Sequence, residues 1–293
     1  MKNFIKSLFN YSLLPILTIT CCLVLTGCEN KKTDNKSGNT AKTETALSNE
    51  KENTTPTPTA ENQESEQPDI PVCFIGNSLI DYGCQAVFLT DIAAGYGRKI
   101  SVDKLTYGGV RLSEYAAGGF IGKKEIKKRL KKADIVVFQD YGGWQGQETY
   151  KAIQKLTSWC KKNAAFYYYM YDGDDVDMDT SDYQKLKKLG LKLIPKGQMI
   201  DALLEMSYIY EELHMEADFH PNDLNGYMAA LVMNHIIFDE KCTDFSKEWF
   251  FGEKSDCLAA SYAQVIDGLH GDSEQEKWEE LRKICKIADN LDM

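Results

Sequence analysis

Five short apolar runs, each separated from the next by enough chain for a helix, constrain the fold of this sequence most. They predict strands at residues 70–75, 99–105, 134–138, 164–171 and 191–194. The third run reads Ile-Val-Val-Phe after its first residue, the uninterrupted apolar pattern of a central parallel strand that is buried on both faces. Strand–helix alternation over five strands predicts an α/β fold in which a parallel sheet carries helices on both faces.

The segments between these runs show helical periodicity. Apolar residues recur at helical spacing in segments 81–96, 123–132, 149–163, 197–214 and 224–238. Residues 256–291 predict two further helices, which we expect to pack on the outside of the same domain. In sheets of this kind, ligands bind at the carboxyl ends of the strands. The residues that follow each run are therefore candidates for a functional site.

The amino-terminal 28 residues differ in character from the rest of the chain. Lys2 and Lys6 precede an apolar stretch that ends in Leu-Thr-Gly-Cys at residues 25–28, which predicts an export signal. The ending resembles the bacterial lipoprotein lipobox, and this implies that Cys28 is lipidated and becomes the first residue of the mature chain. The alternative is an uncleaved transmembrane helix, since the stretch is about long enough to span a bilayer. Pro15 and the lipobox ending favour processing.

The next segment, residues 29–69, is polar and contains no aromatic residue. Such a composition buries too little apolar surface to offset the entropy of ordering, so it predicts a disordered tether. Residues 70–293 are long enough for one domain. We therefore expect a signal at 1–28, a tether at 29–69 and a domain at 70–293, held at the membrane outside the cytoplasm.

Charge and cysteine content exclude several classes of protein. The formal net charge is -10, from 34 Lys and Arg against 44 Asp and Glu, and removal of residues 1–28 makes it more negative still. A sequence-independent nucleic-acid binder needs the opposite balance. None of the six cysteines of the domain has CxxC spacing, which argues against a metal knuckle or a thioredoxin motif. The sequence allows two interpretations of Cys242 and Cys257: a disulfide between them, or buried free thiols.

Two of the candidate residues can carry nucleophilic chemistry. Ser78, in Gly-Asn-Ser at 76–78, directly follows the first predicted strand, although a serine in this place is also a common helix N-cap. His220 lies in the loop sequence Asp-Phe-His-Pro-Asn at 218–222, with Asp218 two residues before it. A serine next to a histidine that a carboxylate orients is the arrangement of an activated nucleophile.

Two further strand ends can bind an anion. Gly108 and Gly109 follow the second strand, where glycines let backbone N–H groups approach a ligand closely; a tight turn is the alternative. Gln139 and Asp140 follow the third strand, where a side-chain amide can donate to an anion; a polar turn is the alternative.

Together these four places resemble the SGNH (GDSL-like) hydrolase family over residues 70–238. Gly-Asn-Ser at 76–78 is similar to the first block of the family, Gly109 to the glycine of its second block, and 218–222 to its last block. The resemblance implies a three-layer α/β/α sandwich with a flavodoxin-like, five-stranded parallel sheet. It also implies Ser78 as nucleophile, His220 as base, and backbone N–H groups of Ser78 and Gly109 as oxyanion donors.

Two departures from the family pattern leave roles open. The third block usually supplies an Asn, whereas this chain has Gln139, which we expect to serve as the amide donor. The triad acid usually stands three residues before the His, where this chain has Ala217. Asp218 is the predicted acid, Glu216 is the next nearest, and a His220 oriented by a backbone carbonyl is the remaining alternative.

The resemblance implies a serine esterase that hydrolyses small acyl esters, acetyl above all, by a Ser-His-Asp mechanism. It needs no metal or organic cofactor, and its expected partners are an acyl ester or acetylated glycan and, through Cys28, the membrane, but no nucleic acid. The alternatives are a non-catalytic glycan- or partner-binding lipoprotein on the same fold and an O-acyltransferase.

Two charged stretches have simpler interpretations. The acidic stretch 172–179 lacks the glycine and the closing Glu of an EF-hand, so a solvated loop is the preferred interpretation over a calcium site. The basic stretch 123–132 is interpreted as a solvated helix face.

Overall fold

A computed structural model of the protein describes residues 69–119, 121–171, 178–215 and 218–291. The predicted signal, the predicted lipidation site Cys28 and the predicted tether (apart from its last residue, Asp69) lie outside the described residues, as do most of the acidic stretch and Glu216 with Ala217. None of the described helices combines the length and the apolar character that crossing a bilayer requires.

The centre of the domain is a five-stranded sheet in which all neighbours run parallel. Its order is β2-β1-β3-β4-β5, the order of a flavodoxin-like sheet. The predicted α/β fold is therefore confirmed, with strand ends that differ from the sequence prediction by at most two residues. The strands are β1 (Ile70–Gly76), β2 (Ile100–Thr106), β3 (Ile135–Phe138), β4 (Ala165–Tyr169) and β5 (Leu191–Ile194).

Helices cover both faces of this sheet and complete the predicted three-layer sandwich. A short 3₁₀ helix, Cys242–Asp244, follows the ninth α-helix. The described α-helices are α1 (Ser78–Asp81), α2 (Gln85–Gly95), α3 (Leu112–Ala117), α4 (Lys123–Leu130), α5 (Gln147–Thr157), α6 (Thr180–Lys188), α7 (Lys196–Glu205), α8 (Tyr210–Leu213), α9 (Asp223–Phe238), α10 (Lys247–Phe251), α11 (Asp256–Gly268) and α12 (Glu274–Ala288).

Alternate residues of each strand point to opposite faces of the sheet and build two separate cores. Cys73 and Ile75 of β1 point toward α3, α4, α5 and α6, whereas Val72 and Phe74 point toward the layer of α2, α7 and α9. Helices α11 and α12 contribute buried side chains to this second core. The carboxyl-terminal helices thus pack with α2, α7 and α9 on this face of the sheet.

Two predicted helices are shortened or divided in the structure. The predicted helix at 81–96 begins at Gln85, since only its first residue, Asp81, belongs to α1 and both Gly83 and Cys84 have positive φ, at 68° and 54°. The predicted helix at 197–214 is interrupted after α7, where Ser207 has a φ of 81°. Apolar spacing does not show either of these turns.

The cysteines whose side chains the structure describes are free thiols. Cys242 is buried and its Sγ donates to the carbonyl of Leu231, so the disulfide considered between Cys242 and Cys257 is not formed. Burial raises the pKa of the Cys242 thiol well above its ordinary value. It therefore behaves as a small buried side chain with a weak donor, the alternative that the sequence left open.

Candidate active site

Ser78 and His220 meet at the carboxyl end of β1. The strand ends at Gly76, and Ser78 is the first residue of α1. Asn77 caps this helix, since its side-chain oxygen accepts from the N–H of Leu79 at 3.0 Å. The N-cap role considered for Ser78 therefore belongs to its neighbour. The Ser78 Oγ instead lies 2.8 Å from Nε2 of His220, although the two residues are 142 positions apart.

Asp218 contacts the other side of His220. Its Oδ2 lies 2.9 Å from Nδ1 of His220, and its Oδ1 accepts from the backbone N–H of His220 at 2.9 Å. The Nδ1–H direction is misaligned with Oδ2, so this contact has the distance of an ion pair without the angle of a full hydrogen bond. The backbone N–H and the ring of His220 lower the pKa of Asp218 below its ordinary value, because both stabilise the carboxylate.

Two tyrosines contact the His220 loop. The Tyr82 ring packs on the imidazole of His220, with ring centroids 4.2 Å apart. The Tyr171 hydroxyl donates to the carbonyl of Phe219 at 2.7 Å. The N–H of Met215 donates to the carbonyl of His220 at 2.9 Å, which closes the loop on itself. The imidazole is therefore restrained through its ring face, its backbone and Nδ1.

The two backbone N–H groups predicted as oxyanion donors follow the carboxyl ends of β1 and β2. Within the described part of the chain, the N–H groups of Ser78 and Gly109 have no hydrogen-bond acceptor. Gly109 has a φ of 70° and is exposed, and a Cβ there would approach only Tyr141, at 4.0 Å. Its turn is joined to the serine loop, because the amide of Asn77 donates to the carbonyl of Val110 at 3.4 Å.

A buried tyrosine also links the ends of β1 and β2. The hydroxyl of Tyr115 donates to the carbonyl of Gly76 at 2.8 Å and accepts from the N–H of Tyr107 at 2.9 Å. Burial raises the pKa of Tyr115 to about 12, so the hydroxyl keeps its proton and remains a donor near neutral pH. This side chain fixes the spacing between the strand that precedes Ser78 and the turn that contains Gly109.

Gln139 is fully buried beneath the serine loop. Its Oε1 accepts from the backbone N–H of Asn77 at 3.1 Å, and its Nε2 donates to the carbonyl of Asp140. The side chain thus supports the backbone just before Ser78, and this placement does not favour its predicted role as an oxyanion donor. That role stays a prediction.

Asp140 has a supporting position as well. This buried carboxylate accepts from the N–H of Leu112 at 2.9 Å, which starts α3, and from the N–H of Tyr141 at 2.9 Å. Its second oxygen accepts from the hydroxyl of Thr149 in α5. Asp140 therefore ties together the loops that follow β2 and β3.

Metal ligands are not grouped in the described part of the chain. No cluster of three or more His, Cys, Asp or Glu side chains occurs among the described residues. Asp179, from the end of the acidic stretch, caps α6 by accepting from the N–H groups of Ser181 and Asp182. The remainder of that stretch lies outside the described residues.

Sequence reasoning did not identify the supporting residues Tyr82, Tyr115 and Tyr171. Tyr82 lies four residues after Ser78, one helical turn away, and that spacing is the signal that would have indicated it. Tyr115 and Tyr171 act through contacts 39 and 48 positions distant in the chain. Their sequence neighbourhood holds no signal for those contacts.

Comparisons with known proteins find structural neighbours only. No protein-family model matches the chain, and no curated protein matches its sequence. A DUF4886 family protein from Bacteroides uniformis is 14% identical with a TM-score of 0.49, over 76% of this chain and 97% of that one. A putative SGNH hydrolase from Slackia heliotrinireducens is 18% identical with a TM-score of 0.45, over 58% of this chain and 100% of that one.

A third neighbour is the esterase EstA from Pseudoalteromonas, at 13% identity and a TM-score of 0.43, over 58% of this chain and 98% of that one. These neighbours include SGNH hydrolase and esterase structures, the family that the motifs resemble. At such identities we take the function from the geometry of the site.

Proposed function

We propose that the protein is a serine esterase that hydrolyses small acyl esters with a Ser78-His220-Asp218 triad. The observation that carries this proposal is the 2.8 Å contact between Ser78 Oγ and His220 Nε2, with Asp218 at 2.9 Å from Nδ1. Nucleophile, base and orienting acid are within reach of one another in the required order.

In the first half of the reaction, Nε2 of His220 accepts the proton of Ser78 while Oγ attacks the ester carbonyl. Asp218 holds the imidazole in the tautomer with a proton on Nδ1 and stabilises the imidazolium that forms. The N–H groups of Ser78 and Gly109 donate to the oxyanion, and one such donor is typically worth about 3 kcal/mol in the transition state. His220 then returns the proton to the departing alcohol.

In the second half, water attacks the acyl-serine. His220 accepts a proton from that water, the acyl group leaves as a carboxylic acid, and Ser78 regains its proton. The chemistry requires only side-chain and backbone groups of this chain.

The surroundings of the triad favour a substrate with a flat apolar face. Tyr82, which packs on His220, Tyr141, which lies near Gly109, and Phe219, which precedes His220, are 44%, 45% and 74% exposed. Exposed aromatic side chains grouped at one place mark a binding surface, and sugar rings present a suitable face to them. We therefore extend the proposal to acetyl esters of glycans, to be tested by screening acetylated glycans alongside simple esters.

The proposed place of action is outside the cytoplasm, on a membrane. The lipobox-like ending at Cys28 and the polar segment that follows support an exported, lipid-anchored protein. Palmitate incorporation at Cys28, lost in Cys28→Ser, is the measurement for this part of the proposal.

The test of the activity is turnover of p-nitrophenyl acetate by Ser78→Ala. The change removes the nucleophile, so we expect turnover to fall to the background rate while circular dichroism stays that of the parent. Ser101→Ala, at an exposed position in β2, is the matched control and should keep full turnover. Unchanged turnover in Ser78→Ala would refute the proposal.

A further inference from the structure

Six lysines gather at the amino edge of the sheet, opposite the candidate active site. They occupy the turns or helix ends that lead into β3, β4 and β5, on the side covered by α4, α5 and α6. We call them the amino-edge lysines: Lys131, Lys132, Lys161, Lys162, Lys187 and Lys188.

The parallel topology explains why these charges come together. Each helix that leads into a parallel strand ends at the same edge of the sheet, and lysines are favoured in the last turn of a helix, near its negative pole. The last turns of α4 and α6 are basic in this way. The first turns of α3, α5, α6 and α9, at the opposite edge, contain acids instead. These helices are therefore polarised along the strands, whereas α4 also begins with Lys123 and Lys124 at the opposite edge.

The charge of this edge is largely uncompensated. Five of the amino-edge lysines are exposed and form no ion pair with any described residue. The sixth, Lys161, pairs with Asp134. Two other acids nearby are engaged, Asp69 with Lys99 at 3.1 Å and Glu240 with Arg98, and a third, the exposed Asp239, lines the same cavity as Lys187. A basic surface of this kind is unexpected in a chain whose formal net charge is -10.

The amino edge is also where the chain enters the domain. β1 begins at Ile70, and the carbonyl of Pro71 accepts from the N–H of Asp134 at 2.8 Å, two residues after Lys132. Whatever anchors the preceding segment therefore reaches the domain beside these lysines. Ser78 lies at the other end of β1, about 20 Å away for seven residues of strand.

We propose that the amino-edge lysines dock the domain on an anionic lipid surface, with the candidate active site facing away from it. Each lysine near such a surface multiplies the ratio of docked to undocked domain by about five. This attraction adds to the membrane affinity that a lipid anchor provides by itself. Docking by this edge exposes Ser78, His220 and the aromatic side chains around them to substrates in solution. The inference uses the predicted anchor for proximity to the membrane and is independent of esterase activity.

Lysine footprinting of the full chain in vesicles tests this proposal. The chain is reconstituted in phosphatidylcholine vesicles and in vesicles that also contain phosphatidylglycerol, and mass spectrometry follows acylation of each lysine by a membrane-impermeant reagent. We expect Lys131, Lys132, Lys162, Lys187 and Lys188 to react at least about fivefold more slowly on the anionic vesicles. The protection should vanish at about 1 M salt, where charges are screened within about 3 Å.

Lys104 and Lys151 are the internal controls, since they are exposed and lie toward the other edge of the sheet. The variant Lys131→Glu/Lys132→Glu should lose the protection of Lys162 and Lys188, whereas Lys104→Glu/Lys151→Glu should keep it.

Three outcomes would overturn the proposal. Equal acylation rates in the two kinds of vesicle would show that the edge does not dock. Equal protection of Lys104 and Lys151 would show that the domain is attracted to the vesicle without a preferred orientation. Protection by soluble polyphosphate but not by anionic vesicles would assign the edge to a polyanionic polymer and not to lipid. None of these results depends on the catalytic activity of Ser78.

Discussion

At the scale of single residues, neighbouring residues of the site have different roles. Asn77 caps α1 through its side chain and is held by Gln139 through its backbone, which leaves the Ser78 hydroxyl free to contact His220. The sequence predicted Ser78, His220 and Asp218, and the structure brings all three together. It did not predict the role of Asn77, because cap geometry depends on backbone angles that residue types alone do not fix.

Asp218→Asn tests the acid of the proposed triad. An amide at this position no longer stabilises the imidazolium or selects the reactive tautomer, so we expect turnover to fall by at least about 100-fold. Asp267→Asn, at a side chain that is 85% exposed and remote in sequence from the site, should retain full turnover. If Asp218→Asn kept more than half of the activity, the orienting role would belong to another group.

The lowered pKa of Asp218 gives this residue a defined pH dependence. Its carboxylate contributes stability above its pKa in the unfolded chain, about 3.9, and the contribution is lost as the pH falls through the lower folded pKa. Around neutral pH the carboxylate is therefore charged, as its role beside His220 requires.

At the scale of elements, the turn between α1 and α2 packs directly on the start of α9. A Cβ added to Gly226 would lie 1.7 Å from the carbonyl oxygen of Gly83, and one added to Gly83 would lie 2.5 Å from the carbonyl oxygen of Asn222. This close approach brings the helix that begins with Ser78 against the loop that contains His220. The helix predicted at 81–96 begins four residues later, at Gln85, since the positive φ of Gly83 and Cys84 is set by that packing.

Gly226→Ala should disrupt this contact. The methyl group has no space beside Gly83, so we expect the free energy of unfolding to fall by at least about 2 kcal/mol and ester turnover to fall with it. Gly108→Ala is the matched control, because a Cβ there meets no atom within 4 Å. Urea denaturation measures both variants, and equal stabilities would contradict the packing argument.

At the scale of the whole molecule, the carboxyl-terminal helices belong to the core beneath the site. Tyr262 of α11 and Leu281 of α12 are buried in the same cluster as Phe88 of α2 and Tyr227 of α9. Their periodicity predicted two helices but not their partners, because side chains that meet across about 200 residues leave no local pattern. Five apolar runs were enough to predict the sheet, since strand–helix alternation admits few topologies.

Leu281→Ala tests whether the carboxyl-terminal helices unfold cooperatively with the candidate active site. Truncation of a fully buried leucine should lower the free energy of unfolding by about 2–5 kcal/mol. Ester turnover and far-ultraviolet circular dichroism should be lost in one transition. Leu204→Ala, the same change at a side chain that is 38% exposed, should cost less than about 1 kcal/mol. Two separate transitions in Leu281→Ala would contradict a single core.

The central claim is that Ser78 is a nucleophile activated by His220, and covalent labelling tests it most directly. A fluorophosphonate reacts with an activated serine and not with an ordinary one, and mass spectrometry of the digested protein locates the adduct. We expect one adduct, on Ser78, that is absent in His220→Ala. An unlabelled protein, or an adduct on a different serine, would contradict the account.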